Sequence, residues 1–339
     1  MLLHKSPVRH YVVLALIVFA AGAGVGAAIV LVAESAGQKT KIIRLQPAPA
    51  ASHPIGPPAP LQRNSNPAHP LSTLLDPAAR ASFSQLAAGL DGSVGLAVSP
   101  LGGGPIVMLG AAQIAHAWST SKVPVLVTLL GDLRRHGEML SVQDRTNAVA
   151  ALEQSNNAAI EALFGRLEEI HGGLVPASAA VQQVLREAGD TTTVVSTAAN
   201  DEGFTTYGQT EWSLRDEVVF YRALAQGCLL DQQDTAYVLG LMRGVIADQR
   251  WGAGAAGYPS DVSLAFKGGW GPQNGRYQVR QTAIVSRGQR GYVMSILALP
   301  ASGAFNDGTS MLTALAGWAR RHVKLDASGG GQACARARR

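Results

Sequence analysis

The chain has 339 residues, of which 47% are hydrophobic and 15% are charged, so it can bury a substantial core. Its formal net charge is +5, but much of the basic excess lies in residues 39–44 and 336–339. No basic stripe interleaved with aromatic residues runs along the chain, which argues against a nucleic-acid partner. Once the flanking segments are set aside, one domain of roughly 250 residues is expected.

The two cysteines lie in different contexts, Cys228 in a helical pattern and Cys334 in a polar, glycine-rich end. A bridge between a core helix and a loosely held end would close a loop that the fold hardly requires. The sequence therefore argues against a structural disulfide. Because no cysteine and histidine spacing is typical of a zinc or iron–sulfur site, we expect no metal and no cofactor.

An apolar run of 23 residues spans residues 11–33, after a short head of residues 1–10. At 1.5 Å per helical residue this run covers a hydrocarbon core about 30 Å thick, which predicts a transmembrane anchor. The alternative is a cleaved signal peptide, although its apolar region would be about 7–15 residues long. The flanking basic residues do not decide the orientation. We place the following domain outside the cytoplasmic membrane, because a short head before one exported domain is the usual signal-anchor arrangement.

Gly22 and Gly26 form a G-x-x-x-G pair in this run, a spacing that lets two membrane helices approach closely. We therefore expect a monomer or a weak dimer through the membrane helix, with membrane lipid as a partner. Residues 34–70 are rich in proline and alanine and predict an extended linker. Residues 71–326 are expected to form the globular domain, and the polar residues 327–339 a disordered tail.

The domain begins with a predicted helix from about Asp76. Two apolar runs around a glycine turn, residues 93–99 and 105–109, then predict a β-hairpin. From Ser119 to about Asp248, apolar residues three and four apart predict mostly helix.

The end of the domain contains three strand-like runs and an amphipathic helix, at residues 262–267, 278–285, 291–299 and 308–322. The simplest assembly is an α+β fold, in which a five-stranded antiparallel sheet is flanked by N- and C-terminal helices and carries an inserted all-helical subdomain. Residues 248–251, between the helical block and the late strands, are expected to form a structural turn bordering the site.

Residues 119–122 read S-T-S-K and open an apolar helix. Since helical residues three apart share a face, Ser119 and Lys122 would have neighbouring side chains. A serine hydroxyl needs a nearby base before it acts as a nucleophile, and a partly desolvated lysine is such a base. The spacing alone is weak evidence, because serine and lysine recur at it in many surface helices.

Two further motifs follow in order, S-N-N at residues 155–157 and K-G-G at residues 267–269. Taken singly, each has an ordinary explanation: Ser155 would cap a helix, Lys267 would be a solvated strand end, and Gly269 a turn residue. Together with S-T-S-K, they resemble the S-x-x-K, S-D-N and K-T-G motifs of the penicillin-recognising serine hydrolases, namely class A β-lactamases and their D,D-peptidase relatives. The resemblance covers about the whole predicted domain.

The resemblance implies a catalytic role for four side chains. Ser119 would be the acylated nucleophile and Lys122 its base. Ser155 would relay a proton to the leaving group, with help from Lys267 across the cleft.

Substrate binding would fall to residues beside these four. Asn157 would hydrogen-bond the amide carbonyl of the substrate, and Gly268, Gly269 and Trp270 would form the edge along which the substrate lies. The backbone N–H groups of Ser119 and Trp270 would form an oxyanion hole for the tetrahedral intermediate.

The chain departs from the family pattern at three places. Asn156 stands where the family usually has aspartate, which removes a charge that buttresses the loop. Gly268 replaces a threonine or serine whose hydroxyl helps to hold the substrate carboxylate, which implies a different or weaker acyl donor. Residues 189–212 contain no E-x-x-L-N run to supply the water-activating glutamate of class A β-lactamases. Glu202 is the best substitute, and without a placed base the acyl-enzyme should hydrolyse slowly.

Two functional hypotheses follow. The first is a membrane-tethered acyl-serine hydrolase that acts on cell-wall peptide or β-lactam-like amide bonds, with a peptidoglycan-like peptide or a β-lactam as substrate. The second is a catalytically silent penicillin-recognising fold used as a cell-envelope binding module. The intact serine and lysine positions favour the first, and the three departures favour the second.

Overall fold

The structure is a computed structural model that describes residues 29–30, 43–44, 74–75, 78–198, 203–326 and 334. The chain divides into two units, residues 1–66 and 67–339. In the first unit, the described residues form an antiparallel pair of two-residue strands, β1 (Ile29–Val30) and β2 (Ile43–Arg44).

The predicted anchor at residues 11–33 and linker at residues 34–70 otherwise lie outside the described residues, as do Gly22 and Gly26. Among the residues that the structure describes, none of the helices has the length and apolar character needed to span a bilayer. The anchor and the dimer therefore stay predictions.

The second unit is built around antiparallel strands. Its described strands are β3 (Gly92–Pro100), β4 (Val107–Gly110), β5 (Ile114–His116), β6 (Glu211–Ser213), β7 (Ser263–Gln273), β8 (Arg276–Arg287) and β9 (Arg290–Pro300). Five of them form one sheet in the order β4-β3-β9-β8-β7, and a separate ribbon pairs β5 with β6. The five-stranded antiparallel sheet expected from the sequence is confirmed.

Helices cover both faces of this sheet. The described α-helices are α1 (Ala79–Ala88), α2 (Lys122–Arg135), α3 (Val142–Glu153), α4 (Asn157–His171), α5 (Leu174–Ala188), α6 (Leu214–Ala225), α7 (Gln232–Arg243) and α8 (Phe305–His322). Along β3, Leu96 and Val98 pack with α1 and α8, whereas Ala97 packs with the helices inserted between β5 and β7. The alternation follows from the two-residue period of a strand, and the α+β organisation is confirmed.

The hairpin between β7 and β8 turns at Asn274 and Gly275, whose φ angles are +53° and +73°. A two-residue turn with positive φ at both positions suits the twist of the strands, and Asn-Gly is its preferred sequence. The turn fixes the strand register, which places Gly268 opposite Gln281.

The β5–β6 ribbon was not expected from the sequence. Ile114–His116 pairs with Glu211–Ser213 across nearly a hundred residues, and each strand has only three residues. Three residues are too few to show a hydrophobic period, so neither strand could be recognised from the sequence, and β6 fell within the predicted helical section.

The expectation that the cysteines are unpaired is wrong, because Cys228 and Cys334 form a disulfide with their Cα atoms 5.3 Å apart. Cys228 does not lie inside a core helix. It follows the end of α6 in a half-buried bend, where an approaching chain can reach its thiol. The bond fixes Cys334, while the other residues of the predicted tail at 327–339 lie outside the described residues.

Candidate active site

Ser119 lies in a short 3-10 helix, Trp118–Ser121, which leads directly into α2. Trp118 has φ +47°, a left-handed conformation that bulky side chains rarely adopt. Its indole packs edge-on against His116 and Phe204, with ring centroids 5.1 and 4.9 Å apart. These contacts hold the sharp turn that leaves Ser119 half-buried at the cleft.

Lys122, the first residue of α2, is almost fully buried. Its Nζ donates hydrogen bonds to the backbone oxygen of Ser155 at 2.5 Å and to Oδ1 of Asn157 at 2.8 Å. Burial lowers the pKa of Lys122 to about 7, and the negative charge of Glu161 partly opposes this shift. A neutral amine has two N–H groups and one lone pair. With both N–H groups donated, the lone pair remains to accept a proton, as a base for Ser119 requires.

Ser155 precedes α4 and has φ +59°, a second left-handed backbone position. The next residue, Asn156, caps α4, since its Oδ1 accepts a hydrogen bond from the backbone N–H of Ala159 at 2.9 Å. The cap requires a side-chain oxygen but no charge, so asparagine replaces aspartate here without loss of the bond. The turn directs the Ser155 hydroxyl toward Lys267, whose Nζ donates to it at 2.8 Å.

Lys267 lies on β7 and is fully buried. Its Nζ also donates a hydrogen bond to the backbone oxygen of the next residue, Gly268, at 3.0 Å. Burial lowers the pKa of Lys267 well below its usual range, and the positive charge of Lys122 adds to the effect. Two amines with lowered pKa values therefore flank Ser155, one on its backbone oxygen and the other on its hydroxyl.

The edge of β7 lies directly against the nucleophile segment. A Cβ atom at position 269 would lie 2.7 Å from the backbone oxygen of Ala117 and 3.0 Å from the backbone nitrogen of Ser119. Only a glycine at position 269 allows this approach. The close contact aligns the following residue, Trp270, with the cleft.

A buried arginine supports this edge from behind. Arg280 on β8 donates to the backbone oxygens of Ala115, His116 and Trp212, and it pairs with Glu217 at 2.5 Å. Both charged side chains are fully buried. Arg280 therefore ties the β5–β6 ribbon, and with it the chain entering the nucleophile turn, to the main sheet.

These elements enclose a cleft of about 90 Å³. It is lined by Trp118, Ser119, Ser155, Asn157, Phe204, Thr205, Gly208 and Trp270. The structure thus brings Ser119, Ser155 and Asn157 to one cleft, with Lys122 and Lys267 buried behind them. Among the residues that the structure describes, no three His, Cys, Asp or Glu side chains are grouped so as to hold a metal ion.

A model of the β-lactamase enzyme family matches residues 134–317, just over half of the chain. The chain belongs to this family. The match begins after Ser119 and Lys122, so the first motif rests on the sequence and on the geometry of the cleft. A comparison with curated protein sequences finds no match.

Solved structures of the same fold include PBP-A and several β-lactamases. PBP-A is 20% identical, with a TM-score of 0.56 over 72% of this chain and 94% of that chain. The class A β-lactamase from Mycobacterium abscessus is 19% identical, with a TM-score of 0.57 over 72% of this chain and 98% of that chain. The chromosome-encoded β-lactamase of Vibrio parahaemolyticus is 14% identical, with a TM-score of 0.55 over 70% of this chain and 96% of that chain. At these identities the likeness shows the fold.

Two residues of this β-lactamase family member have contacts that the sequence patterns did not indicate. Glu161 lies one helical turn after Asn157, and its charge acts on Lys122; four-residue spacing from the second motif is the signal that could have found it. Desolvation raises the pKa of Glu161 even though the residue as a whole is exposed. Trp251 was expected to belong to a turn bordering the site, but its ring also lies on Gly268. Glu202, the expected water-activating substitute, lies outside the described residues.

Proposed function

We propose that this protein is a serine hydrolase that forms an acyl-enzyme on Ser119 and acts on cell-wall peptide or β-lactam-like amide bonds. The observation that carries the proposal is the hydrogen-bonded chain in which Lys122 and Lys267 hold Ser155 from two sides. This arrangement places two amines with lowered pKa values around the proposed proton relay, and one of them, Lys122, lies three residues after the proposed nucleophile Ser119.

In the acylation step, the neutral amine of Lys122 takes the hydroxyl proton of Ser119 as Oγ attacks the substrate carbonyl carbon. The backbone N–H groups of Ser119 and Trp270 donate to the oxyanion that develops. The Ser155 hydroxyl passes its proton to the leaving nitrogen as the carbon–nitrogen bond breaks. Lys122 then gives the proton that it took from Ser119 to the side-chain oxygen of Ser155, which Lys267 also hydrogen-bonds, so the acyl-enzyme forms with no net change in protons.

Deacylation has no assigned base among the residues that the structure describes. We therefore propose that the acyl-enzyme is long-lived compared with that of an efficient β-lactamase. A solved structure of a PBP-A mutant is an acyl-enzyme complex with penicillin G, which makes a penicillin a reasonable first probe. The silent binding module remains the second candidate, and the absent hydroxyl at Gly268 is the observation that favours it.

We also propose that the domain acts on the outer side of the cytoplasmic membrane, tethered through residues 11–33. The disulfide between Cys228 and Cys334 supports an exported domain, since disulfides persist in oxidising compartments and are rare in the cytosol.

Labelling the purified full-length chain tests the activity. A fluorescent penicillin and a fluorophosphonate should each label the protein, and Ser119→Ala and Lys122→Ala should abolish or strongly reduce the label. Ser84→Ala, which removes an exposed hydroxyl on α1, is the matched control and should label normally. Absence of label with every acyl donor would exclude the hydrolase and leave the binding module.

A further inference from the structure

The indole of Trp251 fills the space beside Gly268. A Cβ atom at position 268 would lie 2.4 Å from Cη2 and 2.7 Å from Cζ2 of that ring. The φ angle of Gly268 is not positive, so the backbone conformation does not demand glycine. With the ring in this position a side chain at 268 would clash with it, so an aromatic ring occupies the space that a hydroxyl-bearing side chain would need.

Gln281 holds Trp251 in this place. Its Nε2 donates to the backbone oxygen of Trp251 at 2.9 Å, and its Oε1 accepts from the backbone N–H of Ala253 at 2.7 Å. Gln281 is fully buried and lies opposite Gly268 in the β7–β8 register. The residue opposite Gly268 is therefore uncharged, and both its amide oxygen and its amide nitrogen are used to hold the backbone at Trp251 and Ala253.

Trp251 belongs to a continuous aromatic wall made of Trp251, Trp270, Phe305 and Tyr277. The ring centroid of Trp251 lies 5.9 Å from that of Trp270 and 6.2 Å from that of Phe305. Phe305 in turn lies 5.5 Å from Trp270 and 6.0 Å from Tyr277. Trp270 also lines the catalytic cleft, so the wall extends from the nucleophile to the surface.

Cations near this wall donate to groups of the protein itself, as Arg276 does to the backbone oxygens of Pro300 and Ala301. Arg250 lies over the ring of Phe266 at 5.3 Å and donates to the backbone oxygens of Arg243 and Val245. The amine of Lys267 donates to Ser155 and to the Gly268 oxygen, and burial disfavours its charge. A carboxylate placed against the wall would lose its hydration to apolar ring atoms.

We propose that the acyl donor presents an uncharged, apolar group to the aromatic wall, so that donors without a carboxylate at this position acylate Ser119 faster than donors that carry one. The inference rests on the proposed function, because it concerns the substrate class of the same nucleophile. Its physical basis is that a neutral apolar group gains from burial against the rings, whereas an ionised group loses its water without gaining a partner.

A matched pair of donors tests the inference, namely a thioester that ends in a free carboxylate and its methyl ester. Intact-protein mass spectrometry of the full-length chain gives the rate of Ser119 acylation by each. We expect the methyl ester to react at least about tenfold faster, the ratio that 1.4 kcal/mol of differential binding produces. Equal rates, or faster reaction of the carboxylate, would overturn the inference while leaving the hydrolase intact.

Two variants test whether the wall is the cause. Trp251→Ala should reduce the preference for the methyl ester, and Trp251→Ala combined with Gly268→Thr should move it further toward the carboxylate. Val175→Ala, an exposed apolar residue on α5, should keep the wild-type ratio. A wild-type ratio in the folded Trp251→Ala variant would contradict the inference. If the double variant does not fold, the rate ratios of the wild-type protein and of Trp251→Ala still test the inference. If neither donor nor a fluorophosphonate forms an adduct, both the inference and the proposed function are rejected.

Discussion

The buried amine of Lys122 lies 2.8 Å from Oδ1 of Asn157, a residue 35 positions further along the chain. This bond joins the first motif to the second and uses the side chain that the resemblance assigns to substrate binding. Asn157 orients the lysine amine, and we propose that its amide hydrogens are also available to a substrate. Its Nδ2 approaches the backbone oxygen of Gly203 at 3.5 Å, a weak contact that a substrate carbonyl can replace.

Lys122→Met should slow acylation of Ser119 by about 10²–10⁴-fold, the range expected when a general base is removed. Methionine keeps an unbranched apolar chain in the buried space, so the folded state should survive. The measurement is the rate of labelling by a fluorophosphonate, with thermal unfolding as the check on folding. Lys324→Met removes an exposed lysine as the matched control and should react at the wild-type rate. Wild-type labelling of folded Lys122→Met would show that another group acts as the base.

The acylation rate should rise with pH through about 7, because Lys122 acts as a base only in its neutral form and its pKa is about 7. The negative charge of Glu161 raises that pKa, so Glu161→Gln should lower it and move the rising limb to lower pH. Glu187→Gln changes an exposed glutamate on α5 and should leave the profile in place. A limb that does not move in Glu161→Gln, or that moves to higher pH, would contradict the electrostatic coupling.

Asn156→Ala should lower the free energy of unfolding by about 1 kcal/mol, since the N-cap of α4 is lost. Asn156→Asp should keep the cap and gain slightly from the positive end of the helix dipole. Urea unfolding measures both. The aspartate variant should also acylate at the wild-type rate, because the hydrogen bond to Ala159 is the same. Strong activation by Asn156→Asp would show that the charge missing from this position matters for catalysis.

Reduction of the Cys228–Cys334 disulfide should lower the free energy of unfolding by about 2–5 kcal/mol, because the bridge closes a loop of more than one hundred residues. Unfolding in denaturant, with and without a reductant, gives the difference. Cys228→Ser with Cys334→Ser should show the lower stability under both conditions. If reduction leaves the wild-type midpoint unchanged, the disulfide does not contribute to the folded domain.

The sheet could be predicted because its strands carry long apolar runs, buried on both faces, that end at recognisable turns. Most strand boundaries agree within about two residues, but β7 continues to Gln273, six residues beyond the predicted end at 267. The motif residues could be found because their order and spacing are local properties of the sequence. How they come together depends on the tertiary fold.

What escaped prediction depends on contacts between distant residues. The β5–β6 ribbon is too short to show a period, and Arg280 reads as an ordinary charged residue on a strand until the structure buries it against Glu217. The sequence shows that Gly268 departs from the family motif, but only the structure shows that the Trp251 ring leaves no room for a side chain there. The disulfide was misjudged because the bend after α6 was taken for helix.

Whether Ser119 is the nucleophile is tested most directly by locating the adduct. The full-length chain is allowed to react briefly with a neutral thioester donor and is then analysed by tandem mass spectrometry. We expect one acyl group, on Ser119, that is absent from Ser119→Ala and whose formation slows as the pH falls below about 7. An adduct on any other residue, or none on folded wild-type protein, would contradict it.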